Sequence, residues 1–154
     1  LINKLAKKDK KIILLVGDIG YGIFDDFRKN HSERFYNLGI CEQSLIGFAS
    51  GLALEGFKPW VYTITPFLIE RPFEQIKIDV DEQDLPVVMI GNADYPSHGP
   101  THRPLNARKL VSIFKNIHGY FPRNQFETEK AMLDSYIMKK PAIICIYKDG
   151  LPFV

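Results

Sequence analysis

A single carboxylate stands at the mouth of an apolar, small-residue segment in RFYNLGICEQSLIGFASGLALEG, residues 34–56. Glu42 follows Ile40 and Cys41 and precedes Leu45 and Ile46. Two readings fit it. A glutamate in the first turn of a helix complements the helix dipole. A carboxyl among apolar neighbours is desolvated, holds a proton nearer neutrality, and so suits proton transfer. Spacing alone leaves both open. Cys41 has no histidine near it in sequence, so it reads as a packing thiol rather than a nucleophile. His98 and His102 are four apart, a spacing that brings two imidazoles to one metal only on a helix. Gly99 and Pro100 stand between them, and no cysteine or acidic cluster joins them, so a metal site is not expected. Asp18 lies in GDIGYG, which lacks the G-x-G-x-x-G spacing of a dinucleotide loop. Capping the turn before a helix at Phe24 is its plain role.

The elements that must position these groups are legible in outline. KIILLVG (residues 11–17), RFYNLG (34–39), KPWVYTI (58–64), LPVVMIGN (85–92), HGYFP (118–122) and PAIICIY (141–147) read as strands. Between them, residues 24–30, 41–56, 67–83, 106–116 and 125–140 read as helices. Gly56 closes the second of these as a C-cap. In the last, Phe126, Ala131, Met132, Leu133 and Tyr136 are expected to face the sheet. Residues 1–10 read as a basic tail or first helix. Continuous apolar strands separated by helices predict a doubly wound α/β fold, mainly parallel, with helices on both faces. Ligands in such sheets bind beyond the carboxyl ends of the strands, here in the loops after Val16, Leu38, Ile64 and Ile90. Gly47 and Gly51 are four apart on the Glu42 helix, as are Ala49 and Ala53. Glycine inside a helix costs about 1 kcal/mol relative to alanine. A close-packed backbone is therefore expected, either the chain's own sheet or a partner subunit.

The 154 residues suit one domain, 1–154, with a sizeable core. Hydrophobic content of 45%, charged content of 25% and a net charge of +2 describe an ordinary globular protein. They offer no basis for a nucleic-acid or membrane partner. Two cysteines, Cys41 and Cys145, make no disulfide framework and read as reduced core thiols of a cytoplasmic protein. The chain begins at Leu1, so either end can be a boundary within a longer protein.

Four blocks, in order and at matching spacing, carry a resemblance. They are R-F-x-N-x-G-I-x-E-Q, G-x-A-x-G-L-A-L-x-G, F-x-x-x-R-P-F-E-Q-I and G-P-T-H-x-P. Together, over about residues 15–147, the chain resembles the pyrimidine-binding domain of the transketolase family of thiamine-diphosphate enzymes. The 1-deoxyxylulose-5-phosphate synthase branch and split transketolase-like proteins are nearest in character. The resemblance implies that Glu42 shares a proton with the cofactor's aminopyrimidine, and that the cofactor then serves as electron sink. It implies that Phe67 stacks on that ring, with Phe73 as a second wall or a core residue. Arg71 matches an arginine that faces substrate phosphate in some members; a surface ion pair is the alternative. His102 matches the histidine that lines the substrate channel and bonds donor-sugar oxygens. His98 stands where the family often has an aspartate, and Asp94 is a candidate substitute. Asp18 matches an aspartate of the active-site interface.

The family's metal motif needs a glycine directly after the aspartate and a later asparagine, and GDIGYG does not supply it. The resemblance therefore implies that the diphosphate-binding and carboxyl-terminal domains lie outside this chain. A diphosphate-binding partner, holding Mg²⁺ and the diphosphate, would complete the site in a homodimer or heterotetramer. The substrate would be a sugar or a 2-oxo acid, and the reaction transfer of a two-carbon ketol or acyl unit. A β-type subunit of a 2-oxoacid dehydrogenase shares the x-E-Q helix, but G-P-T-H-x-P belongs to the sugar branch. A non-catalytic module of the same fold is a third reading, against which Glu42, Phe67 and His102 together weigh.

Overall fold

A computed structural model describes residues 1–92 and 98–146. Six strands form one parallel sheet in the order β2-β1-β3-β4-β6-β5. They are β1 (Ile12–Val16), β2 (Phe35–Asn37), β3 (Lys58–Ile64), β4 (Val88–Asn92), β5 (His118–Tyr120) and β6 (Ala142–Ile146). The helices are α1 (Ile2–Lys8), α2 (Asp25–Asn30), α3 (Glu42–Leu54), α4 (Thr65–Ile69), α5 (Phe73–Gln75), α6 (Ala107–Val111) and α7 (Gln125–Met138). Residues 1–10 thus begin with a helix, whose Ile2 and Ala6 are buried.

Alternate residues of the central strands feed two separate cores. Ile13, Leu15, Val61, Met89 and Ile143 meet Leu45, Ile46, Ala49 and Ala53 of α3, Leu68 and Ile69 of α4, and Val111 of α6. Ile12, Leu14, Val16, Trp60, Tyr62, Val88, Ile90 and Ile144 meet Ile2, Ala6, Phe27 and Ala131 on the other face. Burial on both faces is the reason these strands run apolar on both sides rather than alternating. Cys145 belongs to the first core, and burial pushes its thiol up to about 12. Gly91 lets α4 lie directly on β4: a Cβ there would stand 2.8 Å from Thr65 Oγ1 and 3.0 Å from Thr65 Cα.

Three expected elements differ. The helix expected over residues 67–83 begins earlier, at Thr65, and is broken. It stops at Ile69, resumes as the single turn α5, and widens into a π turn at Ile76–Asp81. Pro72 has no N–H to give, and its ring excludes the carbonyl four residues back. The helix expected over 106–116 ends at Val111. Beyond it, the N–H groups of Lys115, Asn116 and Ile117 donate to the buried carboxylate of Asp81, at 3.0, 2.7 and 3.1 Å. On α7, Ala131 is buried while Phe126 and Leu133 are exposed, so those two do not face the sheet; Met132 and Tyr136 pack against it.

Candidate active site

The first block of the sequence is a positioning device for Glu42. The guanidinium of Arg34 donates to the carbonyls of Ala6 (3.1 Å), Asp9 (3.0 Å) and Ile12 (3.4 Å), fastening α1 and the start of β1 to the approach of β2. Asn37 ends β2. Its Oδ1 accepts from the N–H groups of Asp18 and Gly39, both at 3.0 Å, and its Nδ2 donates to Asp18 Oδ1 at 3.2 Å. Gly39 then turns the chain with φ +78°, a conformation that suits glycine. Cys41 caps the turn by donating its thiol to the Leu38 carbonyl at 2.8 Å. Glu42 follows as the first residue of α3, 5% exposed.

Glu42 does not sit among apolar neighbours alone. Arg71 Nη1 donates to its Oε1 at 2.8 Å, and this is the carboxylate's one hydrogen bond among the described residues. The Arg71 guanidinium carbon lies 3.5 Å from the centroid of the Phe67 ring. Phe67 lies on α4 and Arg71 in the turn just beyond its end, which folds the guanidinium back over the ring. The His102 ring meets Phe67 edge-on, with centroids 4.9 Å apart, and the His98 ring lies 5.3 Å from that of His102. The loop carrying His102 is tied to α4 by the Leu105 N–H, which donates to Glu70 Oε1 at 2.7 Å. Thr101 Oγ1 lies 3.0 Å from His102 Nδ1. Glu42, Arg71, Phe67, His102 and His98 therefore form one group, built from the segments that follow β2, β3 and β4.

Asp18 and Phe73 make other contacts. Asp18 takes a left-handed backbone, φ +53°, and accepts from Asn37 and from the Tyr21 hydroxyl. These two bonds, Asn37 first, hold its carboxyl below the ordinary value. It does not cap the α2 turn: there the Gly22 N–H donates to Asp25. The Phe73 ring packs on Phe114, 5.0 Å between centroids, and joins the core. Asp94 lies outside the described residues.

Sequence reasoning missed the Glu42–Arg71 bond and the role of Asn37. Both residues lie inside the quoted blocks. Asn37, two residues before a glycine, carries the signature of an Asx turn.

Gly47 and Gly51 do not pack on the sheet. A Cβ at either would meet nothing within 4 Å, whereas Ala49 and Ala53 face the core. The outer side of α3 is an open surface bordered by exposed Phe48, Leu54 and Ile40.

The six-stranded parallel sheet with helices on both faces is the fold of transketolase pyrimidine-binding domains. The family model for the pyrimidine-binding domain of transketolase matches residues 1–153, and the chain belongs to that family. It is 32% identical over 153 residues to 1-deoxy-D-xylulose-5-phosphate synthase of Nitratidesulfovibrio vulgaris (strain DP4), covering 97% of this chain and 24% of that protein. A solved structure described as a split-gene transketolase, inactive β4 tetramer, superposes with a TM-score of 0.86 at 27% identity, covering 98% of this chain and 50% of the other. Transketolase of Campylobacter jejuni shares the fold, with a TM-score of 0.81 at 21% identity over 94% of this chain and 24% of that one. The chain thus spans about a quarter of the length of the synthase it matches.

Proposed function

We propose that this chain is the pyrimidine-binding unit of a thiamine-diphosphate-dependent, transketolase-like transferase, active only with a diphosphate-binding partner. The reaction is transfer of a two-carbon ketol or acyl unit from a sugar or 2-oxo acid donor. The observation that carries this is the buried Glu42 carboxylate set against Arg71 and Phe67 at the carboxyl edge of the sheet. A flat, N–H-donating guanidinium already fits there, so a flat aminopyrimidine matches the place in shape and polarity. When bound, thiamine diphosphate supplies the electron sink for making and breaking a carbon–carbon bond beside a carbonyl.

This chain's residues divide the remaining work. Glu42 holds and moves a proton at the ring nitrogen of the aminopyrimidine. Phe67 offers a stacking face and excludes water. His102, held against Phe67, donates to oxygens of the donor substrate, with His98 beside it. The diphosphate and its Mg²⁺ belong to a separate domain or subunit, in a homodimer or heterotetramer. The outer side of α3 is the contact surface: Gly47 and Gly51 let a partner backbone approach closely, and exposed Phe48 and Leu54 give it apolar area.

The test is reconstitution. The chain is combined with the diphosphate-binding chain captured from its native extract, thiamine diphosphate and Mg²⁺, and ketol transfer from a ketose phosphate is measured. Activity is expected in the assembly and absent from either chain alone. Transfer by the isolated monomer would overturn the partner requirement. Full activity in a Glu42→Gln assembly would overturn the proton-transfer role of Glu42.

A further inference from the structure

Glu42 and Phe67 are already engaged in the cofactor-free chain. The Arg71 guanidinium donates the one hydrogen bond that the Glu42 carboxylate accepts among the described residues, and it covers the Phe67 ring at 3.5 Å. A guanidinium is planar, stacks on aromatic faces and presents N–H donors at its edge. A 4-aminopyrimidine protonated at its ring nitrogen has the same three properties. The guanidinium fills the place between Glu42 Oε1 and the face of Phe67, and that place cannot hold both groups at once.

We propose that Arg71 is an internal occupant of the pyrimidine place: its guanidinium satisfies Glu42 and covers Phe67 until the aminopyrimidine displaces it. This rests on the pyrimidine-binding reading above. The physical need is plain. A carboxylate 5% exposed and left without a partner carries a desolvation cost. Arg71 removes that cost in the free chain, and the incoming ring removes it in the loaded one. The exit route is equally plain. The Arg71 side chain is 39% exposed, and α4 has ended before it, so rotation of the side chain alone frees the site. Loading is then an exchange of partners at Glu42. Arg71 acts as a positioning residue that keeps the carboxylate and the ring face in place, and it weakens cofactor affinity by competing for both.

Nuclear magnetic resonance of the chain labelled with ¹⁵N-arginine tests this, with thiamine as the probe because it carries the aminopyrimidine without the diphosphate. In the free chain the Arg71 side-chain N–H signal is expected upfield, under the Phe67 ring, and Phe67→Leu should abolish that shift. Saturating thiamine should abolish it too, while perturbing the residues around Glu42. Titration calorimetry should show Arg71→Ala binding thiamine roughly 10-fold tighter than the parent, the size of one lost competing charge-assisted bond. Arg71→Lys, which keeps the charge and loses the flat face, should fall between. An Arg71 signal that stays upfield at thiamine saturation overturns the proposal, as does an Arg71→Ala chain that is folded by circular dichroism and binds no tighter. If thiamine perturbs neither the parent nor Arg71→Ala while the upfield signal is present, the pyrimidine-binding reading fails and this inference fails with it.

Discussion

Two acid–cation–aromatic groups stand at opposite ends of the sheet, and they are built differently. At the amino end, Asp9 Oδ2 accepts from Lys58 Nζ (2.6 Å) and the Tyr136 hydroxyl (3.0 Å), and its Oδ1 accepts from the Lys11 N–H (2.9 Å). Lys58 Nζ also lies 4.4 Å from the centroid of the Tyr136 ring. This acid is bonded at both oxygens and ties the end of α1 to β3 and α7. At the carboxyl end, Glu42 has one bond among the described residues, and its cation and aromatic come from α4 and the turn that follows it. The first group is a fastener whose partners belong to the fold. The second leaves a buried acid with acceptor capacity to spare and a cation that can leave. Chemical type does not separate these two ion pairs; bond saturation and the number of segments joined do.

The widest contrast is expected in activity. Glu42→Gln should lower kcat of the reconstituted enzyme by roughly 10²–10⁴-fold, the usual share of a positioned acid–base group. The chain should stay folded, because the amide oxygen still accepts from Arg71. Steady-state kinetics beside a thermal melt reads both. A comparable loss of kcat in Asp9→Ala would erase the distinction.

Stability should show the reverse. Asp9→Ala leaves the half-buried Lys58 and the Tyr136 hydroxyl without their shared acceptor. The cost is about 2 kcal/mol, a fall in Tm of roughly 4–8 °C for a chain of this size. Thiamine affinity, read by calorimetry, should not move.

The fastener also has a pH signature. Partial burial pushes the Asp9 carboxyl upward, and the bonds from Lys58, the Lys11 N–H and Tyr136 outweigh it, so it sits below its ordinary 3.8. A depressed carboxyl stabilises the fold above its unfolded value. That contribution is lost as pH falls through the folded value, below about pH 4. Denaturant midpoints from pH 5 to pH 2 should therefore fall more steeply for the parent than for Asp9→Asn. Lys58 behaves oppositely. Burial lowers it, but Asp9 raises it further, so its contribution is complete below pH 10.5 and fades above.

The smallest effect sharpens the comparison on α3 itself, between its core-facing alanines and its outward glycines. Gly47→Ala meets open space and should raise stability by up to about 1 kcal/mol. The same methyl group should weaken association with the diphosphate-binding chain, as read by sedimentation. A variant that is more stable and assembles normally would remove the outer side of α3 from the interface.

The sequence by itself determined the parallel α/β architecture, the strand centres and the cluster of candidates beyond the carboxyl ends of the strands. These follow from local rules: continuous apolar runs mark strands buried on both faces, and glycine at C′ stops α3, where the Gly56 and Phe57 N–H groups close onto Ala53 and Leu52. Element ends were less legible. The break around Pro72 is not part of the helix expected over 67–83, although a proline inside a helical pattern is a local signal for it, and the early stop at Val111 is accompanied by bonds to Asp81, thirty residues upstream. On α7, hydrophobicity suggested Leu133. It lies two residues from buried Ala131, and two residues turn a helix by roughly 200°, onto the opposite side. Only the tertiary structure decided which way Gly47 and Gly51 point, that Phe73 joins the core, and that Arg71 closes on Glu42. Each is a contact between segments distant in sequence or a choice between two sides of one helix. Residue type and spacing name the groups able to make such contacts; packing selects the pair that forms.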